Sequence, residues 1–151
     1  MPAVHLAQVN IARLRAPLDS PLLTDFVANL EPINALAERS PGFVWRLKDE
    51  AGDATGIPYS DDPAMIVNMS VWESVEALRE FTYRSHHTDV LKRRREWFTR
   101  LEFAVALWWV VPGEFPTPAQ ARAKLELLEA RGPCEEVFTF GQVFRAPISN
   151  V

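Results

Sequence analysis

A short apolar segment, Met65–Trp72, carries polar side chains at alternate positions. Its β-branched and apolar residues predict a buried strand. Asn68, Ser70 and Trp72 then share one face of that strand, because successive side chains of a strand point to opposite sides. A polar group on a buried face costs free energy unless it is paired. The pattern therefore indicates that this face of the strand borders a binding or catalytic site.

The helix predicted after this strand adds a histidine and an arginine to the same region. It begins at Glu73-Ser74, with acidic residues in its first turn. Helical spacing places His87 and Arg94 on its apolar side, two turns apart. We expect a break at Ser85–Thr88, because the helical pattern is too long for one straight helix. The other residues on this side are Tyr83, Val90, Leu91, Trp97, Phe98 and Leu101.

Three of these side chains have the chemistry needed to take a proton from a phenol and stabilise the anion. His87 can accept the proton, or alternatively ligate a haem iron, because histidine changes charge near neutral pH. The guanidinium of Arg94 suits an anionic oxygen or carboxylate, and Asn68 can hydrogen-bond a substrate oxygen. Each also has a structural interpretation. These are a histidine bonded to a backbone carbonyl, an arginine in an ion pair at the edge of the core, and an asparagine beside a β-bulge.

Aromatic side chains concentrate around the same region. Trp72, Tyr83, Trp97 and Trp108 are the residues we expect to contact a substrate, because aromatic faces stack well on a planar ligand. The alternative for each is ordinary packing in the core. A small aromatic ligand is the class of partner that this composition favours.

Composition and charge exclude several other classes of protein. The chain has 151 residues, a net charge of −4 and a single cysteine, Cys134, so no intrachain disulfide forms. An acidic balance argues against nucleic-acid binding. No stretch reaches the roughly 18 apolar residues that cross a bilayer, and the first residues lack the apolar core of a signal peptide. We expect a cytoplasmic protein without a metal site, since no zinc or calcium spacing occurs.

Alternation and helical periodicity predict the order of the secondary-structure elements. Asp49–Asp62 is expected to be a loop long enough to close over a pocket as a lid. Pro32 is expected to kink or split the first helix. The predicted strands are His5–Arg15, Phe43–Lys48, Met65–Trp72, Phe103–Val111 and Val137–Phe144. The predicted helices follow Ser20-Pro21 up to Arg39, Glu73-Ser74 up to Leu101, and Thr117-Pro118 up to Arg131.

This order predicts an α+β fold of the ferredoxin-like type, β-α-β-β-α-β, with an added C-terminal helix and strand. Residues 1–151 form a single domain in this interpretation. Helices cover only one face of such a sheet, so the other face needs a cover. We expect a second copy of the chain to provide it, as a homodimer through the open sheet face, because two-fold dimers are the commonest oligomers.

The sequence resembles a bacterial family of unknown function among the dimeric α/β barrels related to antibiotic-biosynthesis monooxygenases. The resemblance covers His5 to Pro147. The phrases that carry it are HLAQVNIARLRAPLDSP, INALAERSPGFVWRL, VNMSVW, YRSHHTDVLKRRREWF and LWWVVPGEFPTPAQA. The wider superfamily holds cofactor-free monooxygenases, isomerases, degradation enzymes and haem enzymes. Fold alone therefore does not select a reaction.

One local match within this resemblance bears on the site. Cofactor-free, quinone-forming monooxygenases of the superfamily carry an asparagine and, four residues later, a tryptophan on the strand before the second helix. Asn68 and Trp72 are similar to that pair. The resemblance implies that Asn68 holds a phenolic oxygen and that Trp72 walls the pocket.

Three hypotheses about function follow from the residues and the resemblance. The first is a monooxygenase or other oxidoreductase that uses no cofactor and acts on a planar phenolic or polyketide-like molecule, with His87, Asn68 and Arg94 as catalytic residues. The second is a haem protein or haem enzyme with His87 as the axial ligand. The third is a dimer that binds a ligand without catalysis. The sequence does not distinguish an oxygenase from an isomerase on this scaffold.

Overall fold

The computed structural model describes residues 4–49, 52–84, 92–101 and 104–146. The break predicted at Ser85–Thr88 lies outside these residues. The strands are β1 (His5–Leu14), β2 (Phe43–Arg46), β3 (Met65–Trp72), β4 (Phe98–Thr99) and β5 (Val105–Val110). The α-helices are α1 (Thr24–Arg39), α2 (Val75–Arg84), α3 (Arg94–Trp97) and α4 (Pro118–Arg131), and a single 3-10 turn at Pro21–Leu23 precedes α1. No helix in the described part of the chain is long and apolar enough to cross a membrane.

The described strands form one antiparallel sheet in the order β2-β3-β1, with β4 and β5 both beside β1. Central strands β1 and β3 pair from Leu6 opposite Trp72 to Arg13 opposite Met65. Residues directly opposite each other in an antiparallel pair point to the same face. The strand order and the two helices that pack on one face are those of a ferredoxin-like α+β fold, as the sequence predicted.

The two faces of this sheet have different covers. We call one the α1/α2 face; it carries the even-numbered residues of β1 and β3, including Gln8, Asn68 and Trp72. Ala37 of α1 and Val75 and Leu78 of α2 pack on it. We call the other the α4 face. It carries Ala7, Val9, Ile11, Val67, Met69 and Val71, which pack with Ala121, Leu125 and Leu128 of α4.

Helix α4 covers the sheet face that we expected to be open. Ala7, Val9, Met69 and Val71 on this face have no exposed surface. This face is therefore covered within the chain and not open as expected. The homodimer itself stays a prediction. α4 begins where the sequence predicted. Thr117 and Gln120 form a reciprocal capping box, and Pro118 takes the first helical position.

Other expectations from the sequence hold in part. Pro32 lies inside α1 without splitting it. β2 ends at Arg46, two residues before the predicted end. The Ser40–Gly42 turn forms as predicted. Gly42 has a φ of 83°, and a Cβ there would lie only 2.5 Å from Cβ of Ala77, so this position needs a glycine.

Two predicted elements differ from the structure. The helix expected to reach Leu101 does not: Phe98–Thr99 is a strand that pairs with Arg13 and Leu14 of β1. The last predicted strand, Val137–Phe144, makes only isolated bridges, such as Phe138 to Leu107. At Phe98–Thr99 pairing with β1 overrides the local helical periodicity. The segment from Cys134 to Gln142 instead folds back on itself in two local bridges, Cys134 to Val137 and Thr139 to Gln142, and adds no continuous strand to the sheet.

Candidate functional site

Three polar residues in the middle of the sheet form a hydrogen-bonded network on the α1/α2 face. The Gln8 side-chain amide donates to Asn68 Oδ1 over 2.8 Å and to Ser70 Oγ over 2.9 Å. The Trp72 indole N–H donates to the same Ser70 oxygen over 2.8 Å. Strand pairing creates this network, because Gln8 lies directly opposite Ser70 and Asn68 is two residues away along β3.

The network separates two apolar clusters on this face. One cluster surrounds Trp72 beneath α1 and α2. The other surrounds Trp97 and contains Leu14 and Leu23. Between them Gln8 and Ser70 are buried, each with 7% of its surface exposed. The apolar cover on this face is therefore interrupted at a polar strip.

Two asparagines in this strip remain open to solvent although they lie inside strands. Asn10 and Asn68 stand directly opposite each other on β1 and β3, and both are exposed. Interior positions of central strands are ordinarily covered when helices pack on the sheet. We call the opening above Asn10 and Asn68 the sheet cleft. It provides access from solvent to the centre of the sheet.

The network sets the orientation of the Asn68 amide. Its oxygen accepts the N–H of Gln8, and amide orientation is assigned from such partners. The Asn68 nitrogen, with its two N–H donors, makes no hydrogen bond to any described residue and is available to a ligand. This arrangement suits a ligand oxygen that carries negative charge, since hydrogen bonds from fixed donors to an anion are among the stronger ones.

Arg46 lies at one side of the cleft, directly opposite Ser70 in the sheet. Only 11% of its side chain is exposed, and among the described residues its carboxylate contact is a 3.5 Å approach of Nη2 to Glu38. Its Nε and Nη1 are buried and have no hydrogen-bond partner in the part of the chain that the structure describes. The guanidinium thus adds unused donors and a positive charge to the α1/α2 face.

The predicted tryptophans occupy core positions. Trp72 is 1% exposed, stacks on Phe81 and makes an edge contact with Phe43. Its ring therefore supports Ser70 from within the core instead of forming a wall of the cleft. Trp97 is also 1% exposed and packs with Phe26.

Trp108 and Tyr83 lie away from the cleft. Trp108 packs in the cluster beneath α4, on the opposite face of the sheet from Asn68. The expectation that it contacts the same ligand is corrected by this placement. Tyr83 is 53% exposed and makes an edge contact with Phe140.

The basic run contributes a structural arginine, but it is Arg93 and not Arg94. Arg93 bonds Glu96 over 2.9 Å and Asp25 over 2.8 Å, and its guanidinium lies over the Trp97 ring. Both bonds raise the pKa of Arg93, that to Glu96 foremost, and the hydrogen bond from Arg93 lowers the pKa of Glu96. Arg94 is exposed. Its expected place on an apolar helix face is corrected, because α3 begins only at Arg94 and the apolar position belongs to Trp97.

His87, the base expected from the sequence, lies outside the described residues. Its role as base or haem ligand stays a prediction.

The described part of the Asp49–Asp62 loop does not support a lid over the sheet cleft. Its Tyr59 packs against the α4-face cluster, and its Asp62 pairs with Arg13 over 3.2 Å.

Gln8 and Arg46 are functional candidates that the sequence pattern did not select. Ser70 was noted only because it shares a strand face with Asn68. The available signal was the alternation of polar residues on two strands, Gln8 and Asn10 on β1 and Asn68 and Ser70 on β3. Only the register between the strands shows that these residues meet.

The fold and the cleft together define a ferredoxin-like α+β protein with a polar site on the α1/α2 face of its sheet. The chain belongs to the family described as domain of unknown function DUF3291, which matches residues 5–151. None of the curated proteins matches it. The membership of a family of unknown function, predicted from the sequence, is confirmed.

Two solved bacterial structures have a similar fold, and a third has a weaker likeness. Rv0793 from Mycobacterium tuberculosis is 18% identical, with a TM-score of 0.51 over 75% of this chain and 99% of that chain. PA3566 from Pseudomonas aeruginosa is 11% identical, with a TM-score of 0.50 over 76% of this chain and 99% of that one. A Streptomyces coelicolor monooxygenase in complex with the ligand nanaomycin D is 18% identical, with a TM-score of 0.45 over 78% and 96%. Identities this low show the fold alone.

Proposed function

We propose that the sheet cleft binds a planar phenolic molecule and that the protein oxidises it with molecular oxygen, without a bound cofactor. The observation that carries the proposal is the Asn68 amide. It is exposed inside a central strand, and its oxygen is held by Gln8. A fixed N–H donor at this point is suited to the oxygen of a phenol as that oxygen gains negative charge.

The chemistry assigned to these residues is stabilisation of a phenolate. Proton loss from the phenol places negative charge on its oxygen and on ring carbons, and the Asn68 N–H bonds favour this form. A ring carbon then reacts with O2. One oxygen atom enters the ring as a carbonyl, the phenol becomes the second carbonyl, and the other oxygen atom leaves as water with two hydrogens. A phenol with one free ring position thereby becomes a quinone.

Gln8 and Ser70 have a positioning role in this proposal. Gln8 fixes the Asn68 amide, while Ser70 receives N–H groups from Gln8 and Trp72. Because these groups are set before a ligand arrives, little reorganisation is needed when charge develops on the phenol. His87 is the base that the sequence predicts, and this assignment stays a prediction.

The direct test is oxygen uptake by the purified protein with 1,5-dihydroxynaphthalene and no added cofactor. Asn68→Asp keeps the acceptor for Gln8 but replaces the N–H donors with a carboxylate oxygen, which repels a phenolate. We expect the rate to fall about 100-fold, as when one oxyanion donor is removed.

Gln120→Glu is the matched control, because it makes the same exchange of amide for acid at an exposed position of α4, outside the cleft. Glutamate keeps the side-chain oxygen that accepts the Thr117 N–H, and either residue completes a capping box. This variant should therefore keep the wild-type rate.

Two outcomes would count against the proposal. Equal rates for wild type and Asn68→Asp would contradict the proposed role of Asn68. Absence of oxygen uptake by the wild-type protein across a panel of naphthols would contradict the monooxygenase proposal and favour the alternative of ligand binding without catalysis.

The haem alternative rests on His87 alone and stays a prediction. None of the polar groups that the structure describes around the cleft is a histidine. What the described residues offer there are the amides of Gln8, Asn10 and Asn68, the Ser70 hydroxyl and the Arg46 guanidinium. These donors suit a ligand oxygen, which is why the phenolic substrate is the function we place first.

A further inference from the structure

A buried arginine beside the cleft has donors that the described protein groups do not use. Arg46 ends β2, and its Nε and Nη1 are buried without a hydrogen-bond partner among the described residues. Together these two nitrogens carry three N–H groups. Buried polar groups in native proteins are nearly always paired, so each unpaired group needs an explanation.

Glu38 does not compensate the Arg46 charge. The separation of 3.5 Å between Nη2 and the Glu38 oxygen is long for a charge-assisted bond, which is ordinarily about 2.7–2.9 Å. The Glu38 side chain is 42% exposed, so water screens its charge. The contact also involves only Nη2 and leaves Nε and Nη1 free. Burying a cation with only one weak contact costs folding free energy unless a second anion pairs with it.

The Ser70 hydroxyl extends the set of donors next to Arg46. Its oxygen accepts two N–H groups, from Gln8 and from Trp72. A hydroxyl oxygen has two lone pairs, so both are occupied and its own proton is left as a donor. Ser70 stands directly opposite Arg46, on the same face of the sheet. Ser70 and Arg46 therefore both present donors on this face, beside the N–H groups of Asn68.

We propose that Arg46, assisted by Ser70, binds a carboxylate of the ligand, so that the substrate class is a planar phenolic acid. This inference rests on the proposed function, since it assigns the other end of the molecule whose phenol contacts Asn68. Arg46 and Asn68 are diagonal neighbours on adjacent strands, about 7–8 Å apart at the backbone. That separation suits a ligand with its hydroxyl and its carboxylate at opposite ends of an aromatic ring system.

The test is a calorimetric titration of the full chain with a matched pair of ligands, 2-naphthol and 6-hydroxy-2-naphthoate. They differ only in the carboxylate. Arg46→Met removes the charge and the donors but keeps a long apolar side chain. We expect this variant to lose about 10- to 100-fold in affinity for 6-hydroxy-2-naphthoate, the range for a hydrogen-bonded charge. Its affinity for 2-naphthol should change less than about twofold, because that ligand has no carboxylate to lose.

Arg13→Met provides the matched control. Arg13 is on β1 and is half exposed, and it pairs with Asp62 on the far side of the sheet. Its replacement should leave both affinities unchanged. The melting temperature of the ligand-free protein gives a second readout. Arg46→Met should not lower the melting temperature, because the substitution removes an unpaired buried charge. If Arg46 had a structural role instead, the same substitution would lower the melting temperature.

The outcomes separate this inference from the proposed function. If 2-naphthol binds and Asn68→Asp weakens it, but the carboxylate gives no gain in affinity, the anion site is overturned and the phenol site stands. A lower melting temperature for Arg46→Met with unchanged selectivity between the ligands would also overturn the anion site. If the wild-type protein binds neither compound, both proposals fail together.

Discussion

The Ser70 hydroxyl joins side chains of β1 and β3 at the floor of the cleft. It receives the N–H of Trp72, which is fully buried, and an N–H of Gln8. Gln8 has a second acceptor in Asn68, but Trp72 has one indole N–H and uses it here. Removal of this hydroxyl should therefore leave a buried donor unpaired and loosen the amide that we assign to the substrate.

Ser70→Ala should destabilise the protein by about 1–3 kcal/mol, the cost of an unsatisfied buried donor. Urea unfolding followed by tryptophan fluorescence measures this loss. Ser20→Ala is the matched control, because Ser20 accepts a single 3.3 Å bond at an exposed turn. Its effect should remain below about 1 kcal/mol. Equal losses in the two variants would contradict the importance assigned to the buried network.

The sequence pattern singled out Asn68, whose role stays a prediction, and misplaced two aromatic residues. Asn68 was recognisable because a polar residue on an apolar strand stands out. Trp72 was expected as a pocket wall, yet its ring is buried between Phe43 and Phe81. Trp108 could not be assigned to a face, because β5 is apolar at every position and its alternation carries no signal. Pairing with β1 decides its face, and pairing is not encoded locally.

At the level of elements, the helices and strands with clear periodicity were predictable, and the elements that depend on tertiary contacts were not. β1, β3 and α4 follow alternation or capping that is visible in the sequence. β4 was hidden in a helical pattern, since two residues are too few to alter a periodicity. The position of α4 on the sheet was equally hidden, because its apolar face does not specify what it packs against.

Tyr59, in the loop before β3, packs against the cluster that includes α4, and its burial there predicts how the stability of the protein depends on pH. Burial foremost raises its pKa above the ordinary 10.0, with nearby Arg122 opposing and Glu126 reinforcing the shift. The unfolded chain therefore loses the tyrosine proton before the folded protein does. The stability that Tyr59 contributes is complete below the ordinary tyrosine pKa and declines as pH rises toward the folded-state value.

Tyr59→Phe has no proton to lose, so its stability should fall less steeply above about pH 10. Urea unfolding of wild type and variant at several pH values between about 8 and 11 measures this difference. Identical slopes for the two proteins would show that the phenol of Tyr59 is not held in a desolvated position against α4.

At the scale of the whole molecule, the two faces of the sheet differ in what packs on them: α4 on one, and α1 and α2 on the other. α4 covers the apolar centre of one face, where Ala7, Val9, Met69 and Val71 have no exposed surface, so a second copy would contact these residues only if α4 moved away. The other face is interrupted by the polar strip of Gln8, Asn10, Asn68 and Ser70. Because Asn10 and Asn68 in this strip are exposed, the cleft above them offers a small ligand a route to the centre of the sheet.

A titration of nitrogen-15-labelled protein with 2-naphthol, followed by two-dimensional NMR, tests this central claim most directly. Asn68→Asp assigns the side-chain amide signals of Asn68, and the Trp108 indole signal reports on the opposite face of the sheet. We predict that the Asn68 amide signals shift and saturate while the Trp108 signal stays in place. A shift of the Trp108 signal with the Asn68 signals unchanged, or no shift at all, would contradict ligand binding in the cleft.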